Sequence, residues 1–276
     1  MQKEKHKQAN KQVSYVLATG GEGAHRLRIV HEVHGEDTLR FLERAGLVAG
    51  MRVAEFGCGT GMITREIARQ VGASASVVGI DISPEQIGTA RELSARPEYT
   101  GIEYRTASAY ETGLEESSFD FVYSRFMLMH IQFPEQALAE MHRVLKPRGA
   151  LAVEDGDFDS PFCDPPSAAF DRCFDLYRQM GSRENANFDI GRRLASLVRA
   201  QNFCVRSVSL AQPVVVGGEA KRLPEWTLEE IAAGVLEAGL ASKAEMAALT
   251  TEMQRLASDE TVVFAMARVM QVAAVK

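Results

Sequence analysis

The sequence lacks most of the features that mark a special environment. Its 276 residues hold only four cysteines, Cys58, Cys163, Cys173 and Cys204, and none of them falls in a C-x-x-C pair. That excludes a disulfide scaffold and points to a reduced, cytoplasmic protein with incidental thiols. No run approaches the roughly 18 consecutive apolar residues that a membrane helix needs, so no membrane partner is expected. The opening MQKEKHKQANKQ is charged but has no apolar stretch behind it, so it reads as a disordered, solvated tail rather than a signal peptide. Positive charge is not in excess: 31 Lys and Arg against 37 Asp and Glu give a formal net charge of −6. That balance gives no electrostatic footprint for a nucleic-acid backbone. His31-Glu32-Val33-His34 lacks the i, i+4 histidine spacing of the helical zinc motif, and no metal site is expected.

What the sequence does contain is an ordinary globular composition, 46% hydrophobic and 25% charged, with strands and helices in alternation. Residues 13–50 read as helical, with Leu27, Val30, Val33, Leu39, Phe41 and Leu42 as an apolar stripe that Gly46 and Gly50 end. Strands are expected at 51–56, 76–80, 102–106, 119–123 and 150–155, with helices at 61–71, from Ser83-Pro84, and from Pro134 to a stop at Lys146-Pro147-Arg148-Gly149. Ser83 is placed to cap the second of these helices, with Gln86 reaching back. The pattern implies an α/β fold with a parallel sheet covered on both faces. Beyond 157 it loosens. A helix carries Phe170, Phe174 and Tyr177. Further elements follow at 190–201 (helix), 203–210 (strand), 227–238 and 242–257 (helices), and 261–270 (strand). The expected organisation is a tail at 1–12, a helical N-terminal cover at 13–50, and one α/β domain at 51–276 with helical insertions at about 157–187 and 218–258.

Glu55-Phe56-Gly57-Cys58-Gly59-Thr60-Gly61 stands between a strand and a helix, where open α/β sheets bind ligands. Glycines there let a ligand approach the backbone. Glu55 ends the strand within reach of a ligand amine. Asp81 ends the next strand, about 20 residues past the turn, where a carboxylate takes both hydroxyls of a ribose. The glycines fall at 57, 59 and 61 and position 62 is Met, so the third arrives one residue early for the G-x-G-x-x-G dinucleotide pattern. That spacing disfavours a nicotinamide dehydrogenase.

VAEFGCGTG (53–61), GIDIS (79–83), FDFVYSRFMLMHI (119–131) and LKPRGALAVED (145–155), in that order and spacing, resemble the class I S-adenosylmethionine-dependent methyltransferases. The resemblance covers roughly residues 40 to 155. It implies a Rossmann-like sheet of seven strands, the last antiparallel, and S-adenosyl-L-methionine as cofactor with S-adenosyl-L-homocysteine as product. It places Glu55 near the methionine amino group, Gly57, Cys58 and Gly59 under the cofactor, Asp81 on the ribose, and Ile82 beside the adenine, with Gln86 close by. Ser108-Ala109 stands where the family often has Asp-Ala; a serine hydroxyl can still accept the adenine amine. Ser124 and Arg125 face the methionine end. Tyr15, in the expected lid, is positioned to reach over the cofactor.

The sulfonium carries the difficult chemistry, leaving the protein to align an acceptor and accept a proton. The candidates for that role are His130, Asp155 and Tyr15, with Glu154 and Asp157 alongside as contacts to an acceptor amine or hydroxyl. Met127, Met129 and Cys58 read as packing, and Trp226 as a hinge anchor or a wall of the acceptor pocket. The implied partner is a small-molecule methyl acceptor, such as a natural-product intermediate, in a protein that can form a homodimer. An RNA methyltransferase and a non-catalytic adenosylmethionine-binding protein are the alternatives.

Overall fold

The computed structural model describes residues 20–72 and 76–276. The tail, Tyr15 and the start of the N-terminal cover lie outside the described residues. Helix α1 (Gly20–Arg44) leads to strand β1 (Val53–Phe56), α2 (Met62–Val71), β2 (Val77–Asp81), α3 (Pro84–Leu93), β3 (Ile102–Thr106), β4 (Phe119–Arg125), α4 (Pro134–Val144) and β5 (Leu145–Asp157). Then come β6 (Phe162–Asp164), α5 (Ala168–Arg183), α6 (Leu194–Ala200), β7 (Cys204–Ala211), β8 (Val214–Val215), α7 (Leu223–Glu237), α8 (Lys243–Ser258), β9 (Val263–Ala265) and β10 (Arg268–Val275). Seven strands form one sheet in the order β3-β2-β1-β4-β5-β10-β7, and β6-β9-β8 form a second, small one. Strands β1 to β5 run parallel and β10 runs antiparallel to both its neighbours, the expected Rossmann-like arrangement.

The strand order reverses between β1 and β4, each the neighbour of the other in the middle of the sheet. A crevice beyond the carboxyl ends of those two strands is where such sheets take ligands. Every residue of β1 is buried, as suits a central parallel strand covered on both faces. Helix α2 buries Ile63, Ile67 and Val71 at helical spacing. Helix α3 starts at Pro84, with Ser83 Oγ accepting from the Gln86 amide. The reciprocal bond expected from Gln86 is replaced, because the Ser83 amide donates to Asp81 Oδ1 at 2.9 Å.

Three differences from the sequence reading concern extended chain. The strand expected at 261–270 is two strands: β9, in the small sheet, and β10, inserted between β5 and β7. Strand β10 is mostly buried and apolar, so it carries no alternation to mark its ends. Strand β5 begins at Leu145 rather than at 150, directly after the expected stop of helix α4, which falls at Val144, and its register shifts against β4 between Phe119 and Phe121. Residues 157–165, expected as loop, contain β6.

Helices α5, α7 and α8 pack on one another. Phe170, Phe174 and Tyr177 of α5 are all buried, and the Tyr177 ring stacks on Phe188 with centroids 4.1 Å apart. Burying side chains of this size contributes about 1.5–3 kcal/mol each. Among the described residues no helix is long and apolar enough to cross a membrane.

Candidate active site

The glycine turn is held in the left-handed region: φ is 75° at Gly57, 51° at Gly59 and 71° at Gly61. A β-carbon on Gly57 would lie 2.8 Å from Met127, one on Gly59 3.4 Å from Leu27, and one on Gly61 2.2 Å from the Tyr104 hydroxyl. Gly61 is therefore pressed against β3. Gly57 is packed against Met127 in the turn after β4, and Gly59 faces Leu27 of α1 at ordinary contact distance.

Two carboxylates flank the turn. Glu55 is buried and its carboxylate accepts from the Thr64 hydroxyl. Burial pushes its pKa up to about 7, against that hydrogen bond and the field of Arg125. Asp81 Oδ2 accepts from the Gly59 amide at 2.9 Å while Oδ1 accepts from Ser83. Burial raises its pKa, and the two amides oppose the rise. Each oxygen of Asp81 keeps a second lone pair for another donor. Next to it Ile82 is 50% exposed, a large apolar side chain turned out at the rim. Ser124, at the end of β4 beside Phe56, is buried with a hydroxyl that has no hydrogen-bond partner among the described residues.

The residues present fit an adenosyl amino acid: a bare turn, an orphaned buried hydroxyl, a carboxylate with free lone pairs and an apolar rim. Cys58 is buried, its thiol pushed up by burial, a small filler inside the turn. Ser108 and Ala109, just beyond β3, are part-exposed, and Ser108 Oγ accepts from the Tyr110 amide at 3.2 Å.

Helix α1 crosses the carboxyl ends of the strands and is latched there. Thr38 Oγ1 donates to Glu154 Oε1 at 2.6 Å and accepts from Arg125 at 3.1 Å. Tyr123 and Gln271 donate to the same Glu154 carboxylate, at 2.6 and 2.9 Å. Beneath α1 lies a cavity of about 110 Å³. Leu27, Val30 and His34 come from α1, Phe126, Met129 and His130 from the segment after β4, and Phe174 and Tyr177 from α5; Gln86, Arg26 and Thr227 add polar atoms. Burial holds His34 down to about 3 and His130 down to about 4, so both imidazoles are neutral at physiological pH.

The structure thus places Glu55, Gly57, Cys58, Gly59, Asp81, Ile82, Ser124 and Arg125 at or just past the carboxyl ends of β1, β2 and β4. His130 and Gln86 face the adjoining cavity. The acidic residues of β5 are otherwise engaged. Glu154 serves the latch, and Asp157 is buried against Arg192 and Arg268 at 2.7 and 2.9 Å. Asp155 is buried too, its Oδ2 accepting from the Leu128 amide at 3.0 Å. It is not among the cavity's lining residues and holds the turn that carries His130. Trp226 stands beside the cavity wall rather than in it, edge-on to His25. Among the described residues no group of three or more His, Cys, Asp or Glu is arranged to hold a metal ion.

Sequence reasoning missed Arg26, His34 and Thr38. The signal was available: Gly23, Leu27, Val30 and His34 recur at i, i+4, i+7 and i+11, one helix face, which reads equally well as core.

Sheet order, glycine turn and paired carboxylates together define a class I methyltransferase-type α/β domain. Residues 54–153 match a family described as a methyltransferase domain, and this chain carries that domain. It is 32% identical over 160 residues to the ubiquinone/menaquinone biosynthesis C-methyltransferase of Escherichia fergusonii, covering 57% of this chain and 63% of that protein. The matched regions span 45% and 63% of the length of two curated relatives. The fold is shared with phosphoethanolamine N-methyltransferase 2 of Haemonchus contortus, solved with S-adenosylhomocysteine (TM-score 0.54, 20% identity, 87% of this chain and 52% of that one). It is shared as well with the [4+2]-cyclase SpnF (TM-score 0.55, 19% identity, 87% and 80%). A cyclase on this fold shows that the fold by itself does not name the reaction.

Proposed function

We propose that the protein is an S-adenosylmethionine-dependent methyltransferase acting on a small molecule held beneath α1. The observation that carries this reading is Leu27, which lines the cavity and also stands 3.4 Å from a β-carbon built on Gly59. The cavity and the glycine turn thus share a wall, as a methyl donor and its acceptor require. In this reading Asp81 receives the ribose hydroxyls, Ile82 flanks the adenine beside Ser108 and Ala109, and Glu55 with Ser124 and Arg125 holds the amino-acid end. Bound S-adenosylmethionine supplies an electrophilic methyl group. The chain's own part is to exclude water, hold the acceptor in line, and accept a proton at a neutral ring nitrogen of His130. Asp155 is a positioning residue for that histidine.

The test is calorimetric titration with S-adenosylhomocysteine, followed by transfer of labelled methyl from S-adenosylmethionine to a pool of small acceptors. Micromolar binding and a labelled small product are expected. No binding overturns the cofactor reading; binding without transfer to any acceptor leaves a non-catalytic adenosylmethionine-binding domain in its place.

A further inference from the structure

The wall of the cavity is unevenly charged. Among the described residues it includes no Asp or Glu, yet it includes Arg26. The Arg26 side chain is 13% exposed. Its Nη2 donates to Thr227 Oγ1 at 2.8 Å. Its Nη1 is buried and makes no hydrogen bond among the described residues; the Glu230 carboxylate lies 3.7 Å away, an ion-pair distance without a bond. A guanidinium cannot shed its charge, and a buried donor left unmet is costly. The remaining polar wall groups are two neutral imidazoles, an amide and two hydroxyls, those of Tyr177 and Thr227. Such a wall repels no anion and offers a cationic amine no counter-charge.

His130 sharpens the point. Desolvation, helped by Arg26, leaves it a weak base. A weak base serves an acceptor that gives up its proton readily and serves an aliphatic alcohol or ammonium poorly. The lining narrows the class further: the rings of Phe126, Phe174 and Tyr177 in the wall suit a flat ring.

We infer that Arg26 makes this cavity selective for a single-ring acceptor bearing an acidic hydroxyl, a phenol or cyclic enol, whose ionised oxygen its guanidinium pairs. The hydroxyl proton passes by way of the neutral His130 ring to solvent as the acceptor binds. The inference rests on reading the cavity as the acceptor site, and it adds to that reading the chemical class and the residue that selects it.

The probe is 4-nitrophenol, titrated into the full-length protein with and without S-adenosylhomocysteine, one pH unit below its ionisation in free solution. Growth of the phenolate absorption band on binding is expected. The neutral ether 4-nitroanisole is expected to bind at least tenfold more weakly, and Arg26→Gln to lose at least tenfold in nitrophenol affinity together with the band. Equal binding of the ether, absence of nitrophenol binding, or a band that persists in Arg26→Gln overturns the inference. Should Arg26→Gln fail to fold, the comparison of nitrophenol with its ether on the unaltered protein decides alone. S-adenosylhomocysteine affinity is read separately. Its loss in the unaltered protein counts against the methyltransferase reading, while its retention with no nitrophenol binding counts against Arg26 only.

Discussion

The Gly59 amide donates to Asp81 Oδ2 at 2.9 Å, so the residue assigned to the ribose also fixes the turn that lies under it. The bond crosses from the end of β2 to the loop after β1, and a second amide, from Ser83, holds the other oxygen. The carboxylate is thereby oriented before any ligand arrives. Asp81→Ala removes both the ribose acceptor and the brace. A hydrogen bond to a charged group contributes about 1.5–3 kcal/mol, so affinity for S-adenosylhomocysteine is expected to fall roughly 10- to 100-fold or more. Calorimetry measures it; affinity within a factor of two of the unaltered protein refutes the ribose assignment.

Gly61 tests the turn from the other side. Its φ of 71° disfavours any L side chain by about 1–2 kcal/mol. A β-carbon would also meet the Tyr104 hydroxyl at 2.2 Å and its ring carbon Cζ at 2.8 Å. Gly61→Ala is expected to destabilise the fold by more than the backbone term, about 2–4 kcal/mol in total, read by urea denaturation. Tyr104→Phe in the same chain is expected to recover only part of that loss, because the ring carbons remain in the way. A Gly61→Ala protein as stable as the original would show that the turn is not packed as described.

Much of this frame was legible because it is local. The Ser83 cap, the span of β3 and the glycine turn follow from neighbouring residues, and the position of Asp81 at the end of β2 follows from spacing along the chain. What was not legible depends on contacts distant in sequence. Thr38 and Glu154 meet across 116 positions, and Arg26 and Thr227 across 201. No periodicity announces such pairs, and α1 reads equally as core or as cover until its partners are known. Strand β10 shows the same limit for backbone. An apolar strand between two others needs no alternation, so its ends cannot be read from pattern alone.

Asp157 separates structural from chemical carboxylates. It is buried and paired with both Arg192 and Arg268, at 2.7 and 2.9 Å. Arg192 also reaches Asp159, and the Arg268 amide donates to Ser160 Oγ at 2.8 Å. This cluster ties the end of β5 to the start of β10, away from the glycine turn. Asp157→Asn is expected to lower stability by about 1–3 kcal/mol while leaving S-adenosylhomocysteine affinity within about twofold. Loss of affinity out of proportion to stability would return Asp157 to the binding site.

Asp155 gives the protein a pH dependence opposite to that of an ordinary surface carboxylate. Burial raises its pKa from 3.8 to about 8, against the amides of Leu128, Met129 and Gly156. In the folded state it therefore stays protonated where the unfolded chain has already ionised. Its contribution is fully present below about pH 4 and is lost as pH rises through about 8, at up to about 1.4 kcal/mol per pH unit. Glu55 acts in the same sense up to about 7. His34 and His130, held down to about 3 and about 4, act in the opposite sense below 6.5 and oppose both carboxyls there. Between pH 7 and 8 the two histidines no longer titrate in the folded state, Glu55 completes its ionisation, and Asp155 carries most of the remaining fall. Asparagine keeps the acceptor for Leu128 without the charge. Asp155→Asn is therefore expected to flatten the fall in stability between pH 7 and 8, and to compare better with the original protein at pH 8 than at pH 5. Urea midpoints at a series of pH values measure this; parallel curves for the two proteins would show that Asp155 ionises normally and that the turn bearing His130 is wetter than its burial implies.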